Sequence, residues 1–168
     1  YMLSDGGAEV VIDGANVGHM LVQKKFSFDF IDYIADYYAN TLNKKVRIIL
    51  AVYRIKHAEM QYNNKRIQGI LNKWKSNKWL IHAPNKLYDD VLWAIYALHS
   101  CLVYNGKVII VTNDNMRDHV MNMVGNIKSN LLHSFLESKL CRIEILQGEM
   151  EYDPFYKRNN NHNNQRKK

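Results

Sequence analysis

The sequence has 168 residues, of which 47% are hydrophobic, so it can bury one core. We therefore predict a single folded domain over residues 1–156 and a basic, asparagine-rich, disordered tail over residues 157–168. No run of 18 apolar residues occurs, which excludes a membrane-spanning helix. The sequence starts at Tyr1 without a basic and then apolar leader, and we expect it to be part of a longer, intracellular protein.

The formal net charge of +7 is unevenly distributed. Between Lys44 and Lys86 there are eleven basic residues and one acid, and from Lys157 onward there are five basic residues and no acid. The other two stretches are acidic. This separation suits a protein that binds a polyanion on one surface and cations on another, although a solvated basic face gives the same pattern.

The first half of the chain alternates between strand and helix patterns. Glu9–Ile12 is an apolar run that predicts a strand, and Asp13 follows it in a turn flanked by Gly14 and Gly18. Phe30–Leu42 has apolar residues at helical spacing, whereas Val46–Val52 is almost entirely apolar and predicts a strand covered on both faces.

The middle of the chain continues the alternation. A helix is predicted within Arg54–Lys78, and Trp79–Ala83 is the third predicted strand. The next helix, Leu87–Val103, carries an apolar stripe. Four residues of the first of these helices are predicted to face the core, Ile67, Ile70, Leu71 and Trp74, and the stripe of the second consists of Val91, Ile95, Leu98 and Leu102.

The last predicted elements are a strand at Val108–Thr112, a helix at Leu131–Leu140 and a fifth strand at Arg142–Leu146. Strands alternating with helices predict an α/β fold: a three-layer α/β/α sandwich with a mostly parallel, five-stranded sheet. In a doubly wound order, strands one and four lie side by side at the point where such sheets bind ligands.

Carboxylates collect where this topology would bring strand ends and helix starts together. Asp13 ends the first strand, Asp89 and Asp90 open a helix, and Asp114 and Asp118 follow the fourth strand. Such a group of acids needs cations, because like charges disfavour each other's ionisation. One or two Mg²⁺ ions would resolve this and activate a water for attack on a phosphodiester. Each acid taken alone has another explanation: Asp89 could be the N-cap of its helix, and Asp118 could be a surface residue.

Four residues are candidates for binding the substrate. Asn16 is placed to orient a ligand or a water, and Arg117 lies in the first turn of the helix after strand four. Arg54 and Lys86 belong to the basic block, which we expect to contact phosphates. The two cysteines, Cys101 and Cys141, form no CxxC or Cys/His pattern and are predicted to be buried, reduced thiols.

Three segments carry a resemblance to a known family. IDGANVG (Ile12–Gly18), P-x4-DD-x2-W (Pro84–Trp93) and VTNDNMRDH-x5-G (Val111–Gly125) resemble the metallonuclease domain of protein-only RNase P, in the NYN branch of PIN-like nucleases. The resemblance implies that Asp13, Asp89, Asp90 and Asp114 are catalytic metal-binding carboxylates, with Asp118 as a further ligand. It also implies Mg²⁺-dependent hydrolysis, with Mn²⁺ as a substitute, that removes the 5′ leader of precursor tRNA.

The resemblance implies further parts as well. The family has an N-terminal helical-repeat RNA-binding domain, which we expect outside this sequence, and it works in mitochondria, other organelles or the nucleus. Its zinc module includes a Trp-His pair that we do not find here, so no zinc is expected within this sequence. Two alternatives remain open, a related NYN endoribonuclease that acts on mRNA or other structured RNA, and a catalytically silent RNA-binding module of the same fold.

Overall fold

A five-stranded parallel sheet organises the chain. The computed structural model describes residues 5–21, 26–60, 64–84, 89–114, 134, 138–141, 145–146 and 149–150. The strands are β1 (Val10–Asp13), β2 (Val46–Ala51), β3 (Leu80–Ala83), β4 (Ile109–Val111) and β5 (Leu140–Cys141), in the order β3-β2-β1-β4-β5. All four pairings are parallel, so the carboxyl ends of these strands lie at one edge.

Helices connect the strands and cover the sheet. They are α1 (Gly14–Gly18), α2 (Phe28–Asp36), α3 (Val52–Met60), α4 (Lys65–Ser76) and α5 (Asp89–Val103), and α2 continues into a π-helical turn at Tyr37–Thr41. A separate antiparallel pair joins β6 (Ile145–Leu146) to β7 (Glu149–Met150). No helix in these parts of the chain is long and apolar enough to cross a lipid bilayer.

Successive strand residues point to opposite faces, and each face has its own core. Ile12 and Ile48 belong to the core on the side of α2 and α4, together with the fully buried Trp74. Val11 and Ile49 belong to the other core, beneath α5. Burying a large aliphatic side chain stabilises the fold by about 1.5–3 kcal/mol. Strands that are apolar on both faces therefore favour a sheet that is covered by helices on both sides.

The amino-terminal edge of the sheet is closed by a charged network. Arg47 on β2 is 8% exposed, and its Nε donates to Asp5 Oδ2 at 2.8 Å. Tyr96 on α5 donates its hydroxyl to the same carboxylate at 2.7 Å. Burial opposes ionisation of Asp5, but the hydrogen bonds from Tyr96 and Arg47 outweigh it and lower the pKa of Asp5.

The predicted α/β sandwich is confirmed, including the neighbouring positions of strands one and four. The first four strands lie within one or two residues of their predicted bounds. Within the predicted helical region Arg54–Lys78 there are two helices, because the Asn64 side chain accepts the Ile67 N–H at 3.2 Å and starts a new helix. Three predicted core residues of that second helix, Ile70, Leu71 and Trp74, are buried.

Three predictions were wrong. The fifth strand of the sheet is Leu140–Cys141, whereas Ile145–Leu146, within the predicted strand Arg142–Leu146, belongs to the antiparallel pair. Leu140 is therefore a strand residue and not the end of a helix. The segment after Asp13 is the short helix α1 and not a plain turn.

The predicted stripe on α5 was wrong for two of its four residues, whereas Leu98 packs against the core beneath the helix. Ile95 is 38% exposed and Leu102 is 85% exposed, whereas Trp93 and Tyr96 are fully buried. The helix carries apolar residues around most of its circumference, so the spacing alone does not identify its inner face. The larger aromatic residues gain more from burial and take that face.

Candidate active site at the carboxyl ends of two strands

Asp13 is the buried carboxylate at the centre of the site. It is the last residue of β1 and is 1% exposed. Its Oδ1 accepts the Asn16 N–H at 3.0 Å, which makes Asp13 the N-cap of α1. Its Oδ2 accepts the Thr112 hydroxyl at 2.9 Å. These two hydrogen bonds fix the carboxylate in one orientation.

Thr112 links this carboxylate to the loop after β4. The Thr112 side chain is fully buried, and its hydroxyl donates to Asp13 and accepts the Asp114 N–H at 3.1 Å. Next to it, the Asn113 N–H donates to Asn16 Oδ1 at 2.8 Å. Asp13 and the half-buried Asp114 are therefore positioned by one continuous hydrogen-bonded joint between β1, α1 and β4.

Two glycines allow α1 to lie against its neighbours. A Cβ atom on Gly14 would lie 2.8 Å from the Ile49 carbonyl oxygen of β2. A Cβ atom on Gly18 would overlap the ring of Phe26. Both positions need glycine because of this close approach and not because of an unusual backbone angle. The sequence DGANVG therefore builds a tightly seated helical turn directly behind Asp13.

The start of α5 lies at the same edge of the sheet. This helix connects the carboxyl end of β3 to the amino end of β4. Its first residues, Asp89 and Asp90, therefore lie at the carboxyl edge of the sheet. Asp13 also belongs to the sheet face that α5 covers, because it stands level with Ile49 in the parallel register. The topology thus brings the predicted acids on β1, α5 and β4 to one region.

The structure describes only part of the predicted site. It places the side chains of Asp13, Asn16, Arg54 and Asp114, and the backbone of Asp89 and Asp90. Three predicted residues, Lys86, Arg117 and Asp118, lie outside the described residues. Within the described parts, no group of three His, Cys, Asp or Glu side chains forms a complete metal cluster. The assignment of individual site residues therefore stays a prediction.

The donors that are described fit a hard divalent cation. Asp13 and Asp114 supply carboxylate oxygens, and the Asn16 side chain lies beside them with its Oδ1 accepting the Asn113 N–H. Oxygen ligands of this kind suit Mg²⁺, Mn²⁺ or Ca²⁺ better than softer metals. A second buried acid would raise the cost of ionising the first, and a bound cation would remove that cost.

A basic group lies beside the site at the end of β2. The guanidinium carbon of Arg54 lies 4.8 Å from the centre of the Phe26 ring, and Arg54 Nη1 lies 3.2 Å from His19 Nε2. Burial and the positive charge of Arg54 lower the pKa of His19. A guanidinium has no acceptor, so the neutral His19 ring accepts this bond at Nε2 and carries its proton on Nδ1.

Much of the basic block is paired with acids. Five of its residues form ion pairs with carboxylates: Lys44, Arg47, Arg66, Lys73 and Lys75. Their charges are partly compensated within the domain, which was not evident from the charge count. The uncompensated positive charge of the block is therefore smaller than the charge count indicated.

Thr112 and His19 were missed by the sequence analysis. The signal for Thr112 was a polar residue at the end of an apolar strand and directly before the Asn-Asp-Asn cluster. His19 gave no local signal, because its contact with Arg54 joins residues 35 positions apart. The cysteines are free, as predicted. Cys101 is buried, and the half-buried Cys141 Sγ accepts the Tyr38 hydroxyl at 3.4 Å.

The fold and the acidic strand edge define an α/β domain of the NYN, or PIN-like, class. A family model described as protein-only RNase P matches residues 1–149. The chain belongs to the protein-only RNase P family.

Relatives and solved structures agree with this assignment. The chain is 34% identical over 130 residues to proteinaceous RNase P 1, chloroplastic/mitochondrial, of Arabidopsis thaliana, and this match covers 72% of the chain and 20% of the relative. Proteinaceous RNase P 2 of the same plant is 27% identical, with 91% and 28% covered. The solved structure of nuclear protein-only RNase P 2 from A. thaliana superposes with a TM-score of 0.66 at 25% identity, covering 88% of this chain and 30% of that one.

The chain thus spans about a fifth to just over a quarter of the curated relatives it matches. Most of the length of each relative lies outside the match to this chain.

Proposed function

We propose that this chain is the catalytic domain of a protein-only RNase P, which removes the 5′ leader of precursor tRNA by metal-dependent hydrolysis. The observation that carries the proposal is the joint at Asp13, Thr112 and Asp114, which fixes the Asp13 carboxylate and the backbone of Asp114 at adjacent strand ends. The family membership of the chain supports the choice of substrate. It also favours precursor tRNA over mRNA and over a silent binding module.

The proposed metal ligands are Asp13, Asp89, Asp90, Asp114 and Asp118, holding one or two Mg²⁺ ions, for which Mn²⁺ would substitute. The chemistry that Mg²⁺ supplies when bound is a lower pKa of the attacking water and neutralisation of charge on the phosphodiester. The contribution of the protein is positional. Thr112 and the Asn16 N–H hold the Asp13 carboxylate, so that little reorganisation is needed when the substrate binds.

Substrate binding is proposed to use Asn16, Arg54, Lys86 and Arg117. The Asn16 carbonyl oxygen is engaged by the Asn113 N–H, so its amide NH₂ is the group we assign to RNA or to a water. Recognition of the tRNA body is assigned to an N-terminal helical-repeat domain of the same polypeptide, since the relatives are several times longer than this chain. The names of the relatives support an organelle or the nucleus as the compartment.

Single-turnover cleavage tests the proposal. The protein in excess over a 5′-labelled precursor tRNA transcript, with Mg²⁺, is expected to release the leader by one cut and to leave a 5′-phosphate on the mature end. Asp13→Asn and Asp114→Asn keep the side-chain size and remove the charge. Each is expected to slow cleavage by at least about 100-fold, since both remove a preorganised charge from the reacting centre.

Asp29→Asn is the matched control. Asp29 is an exposed acid in the first turn of α2, where it pairs with Arg66 at 2.6 Å. The same change of charge there should leave the cleavage rate within about twofold, because an exposed ion pair contributes little. Undiminished cleavage by Asp114→Asn would contradict the assignment, and cuts confined to mRNA stem-loops would favour the alternative substrate.

A further inference from the structure

Arg54 differs in its surroundings from the other two arginines that the structure describes, Arg47 and Arg66. No carboxylate of the described residues lies within ion-pair distance of its guanidinium, unlike that of Arg47 or Arg66. Its Nε is buried without a hydrogen-bond partner among these residues. Within the described residues, the positive charge of Arg54 therefore has no counter-charge, and an anionic ligand would supply one.

The contacts of Arg54 hold it in place. The guanidinium lies over Phe26 at 4.8 Å and over Tyr53 at 5.1 Å, measured to the ring centres. The neutral His19 ring accepts from Nη1, and it lies edge-on to Phe26 with the ring centres 5.1 Å apart. Three side chains from different parts of the chain thus restrict a long, flexible residue, which reduces the entropy lost when it binds a ligand.

The position of Arg54 relates it to the acidic site. Arg54 lies in the first turn of α3, which begins directly after β2 at the carboxyl edge of the sheet. His19 directly follows α1, the helix that Asp13 caps. Because β1 and β2 are neighbours in the sheet, the basic group and the carboxylates share one edge. An RNA strand whose scissile phosphate lies at the acids would extend over this group.

We propose that Arg54 binds a backbone phosphate of the RNA next to the cleavage site, with His19 as the residue that positions it. Guanidinium groups recognise phosphate through charge-assisted N–H donors. Because Nε is buried and the rings lie against the guanidinium faces, the terminal Nη groups are the donors that a phosphate would contact. This proposal rests on the proposed function for the identity of the natural RNA. The contact itself concerns binding and can be measured without cleavage.

The salt dependence of binding tests the phosphate contact. The probe is a fluorescent single-stranded oligoribonucleotide, titrated with the protein in EDTA at several salt concentrations so that no cleavage occurs. Arg54→Ala is expected to weaken binding by about tenfold and to reduce the slope of log K against log salt by about 0.7. Arg66→Ala removes the same charge from an exposed ion pair with Asp29 and should change neither quantity.

Substitutions of His19 provide a second test in which Arg54 itself is retained and only its positioning contact is changed. His19→Gln keeps an acceptor near the position of Nε2, whereas His19→Phe keeps the ring and removes the acceptor. We expect normal binding from the first variant and weakening of about threefold or more from the second, with unchanged thermal unfolding because His19 is exposed. A purely structural role would predict equal binding by both variants.

Replacing single phosphates of the probe with neutral methylphosphonates locates the contact. A methylphosphonate at one position of the probe should weaken its binding to the unsubstituted protein. The same replacement should not change its binding to the Arg54→Ala variant. An unchanged salt slope in Arg54→Ala, or an equal fall in Arg66→Ala, would overturn the proposal. If the binding tests show no phosphate contact by Arg54 but the parent protein cleaves precursor tRNA, only the Arg54 proposal is refuted. If the binding tests show the contact but precursor tRNA is not cleaved, only the proposed function is refuted.

Discussion

Replacing Thr112 with valine tests how the two carboxylates are held. Valine has nearly the same shape as threonine, so the change removes a hydroxyl from a fully buried position without opening a large cavity. Two hydrogen bonds are lost, the one donated to Asp13 at 2.9 Å and the one accepted from the Asp114 N–H at 3.1 Å.

The expected magnitude follows from these two bonds. A hydrogen bond to a charged group contributes about 1.5–3 kcal/mol, and a backbone N–H left without its acceptor costs about 1 kcal/mol or more. The Asp13 carboxylate is 1% exposed, so water does not readily replace the lost donor. We expect Thr112→Val to lower the free energy of unfolding by about 3 kcal/mol, which corresponds to about 6–12 °C in melting temperature for a chain of this size.

Chemical and thermal unfolding measure this loss, and single-turnover cleavage measures its effect on the site. Thr112→Ser is the matched control, because it keeps the hydroxyl and loses only a methyl group. We expect the serine variant to cost about 1 kcal/mol and to retain cleavage, and the valine variant to lose about 100-fold in rate through misplacement of the carboxylates. If the valine variant were as stable and as active as the serine variant, the joint would not be what positions Asp13 and Asp114.

Three further substitutions test the packing of the helices and the charged network at the amino-terminal edge. In Gly14→Ala the new Cβ would lie 2.8 Å from the Ile49 carbonyl oxygen, so α1 must shift and cleavage should fall by at least about tenfold. Gly69→Ala, in a helix position with nothing within 4 Å, should instead stabilise the protein by about 0.5–1 kcal/mol in urea unfolding. The lowered pKa of Asp5 stabilises the fold above its unfolded-state value of 3.8, and this stabilisation is lost as the pH falls through the lowered folded-state pKa. Asp5→Asn should remove that part of the acid dependence in unfolding curves and cost about 2 kcal/mol at neutral pH, because Arg47 stays buried without its partner carboxylate.

The sheet could be predicted because its strands are short apolar runs separated by helical patterns. Val46–Ala51 is fully buried and reads as a strand from its residues alone. Leu140–Cys141 could not be predicted as a strand, because two residues show no periodicity. This segment is a strand because it pairs with β4. RIEIL has the stronger strand pattern, yet the described part of it pairs antiparallel outside the main sheet. Tertiary pairing overrode local propensity in both cases.

The residues of the candidate site likewise include some whose positions could be predicted from the sequence and others whose contacts could not. The positions of Asp13 and Asp114 at neighbouring strand ends could be predicted, because they follow from the strand pattern and the order of the strands alone. The contact between His19 and Arg54 could not, because it depends on the packing of Phe26 beneath the guanidinium. The ion pairs that compensate much of the basic block are equally invisible in a count of charges, since partners such as Lys44 and Glu9 are far apart in sequence.

The register of two strands explains why the carboxylate and its hydroxyl partner meet. Ile12 stands level with Val111 in the parallel pairing of β1 and β4, so the next residue on each strand, Asp13 and Thr112, also lies level and on the same face. A slip of one residue would turn Asp13 toward the opposite face and pair Thr112 with an apolar side chain. The apolar residues on both faces prevent that slip, because it would exchange the contents of the two cores. The geometry of the acidic site is therefore fixed by hydrophobic packing along the strands, and the polar residues at their ends make use of a register that the core has already set.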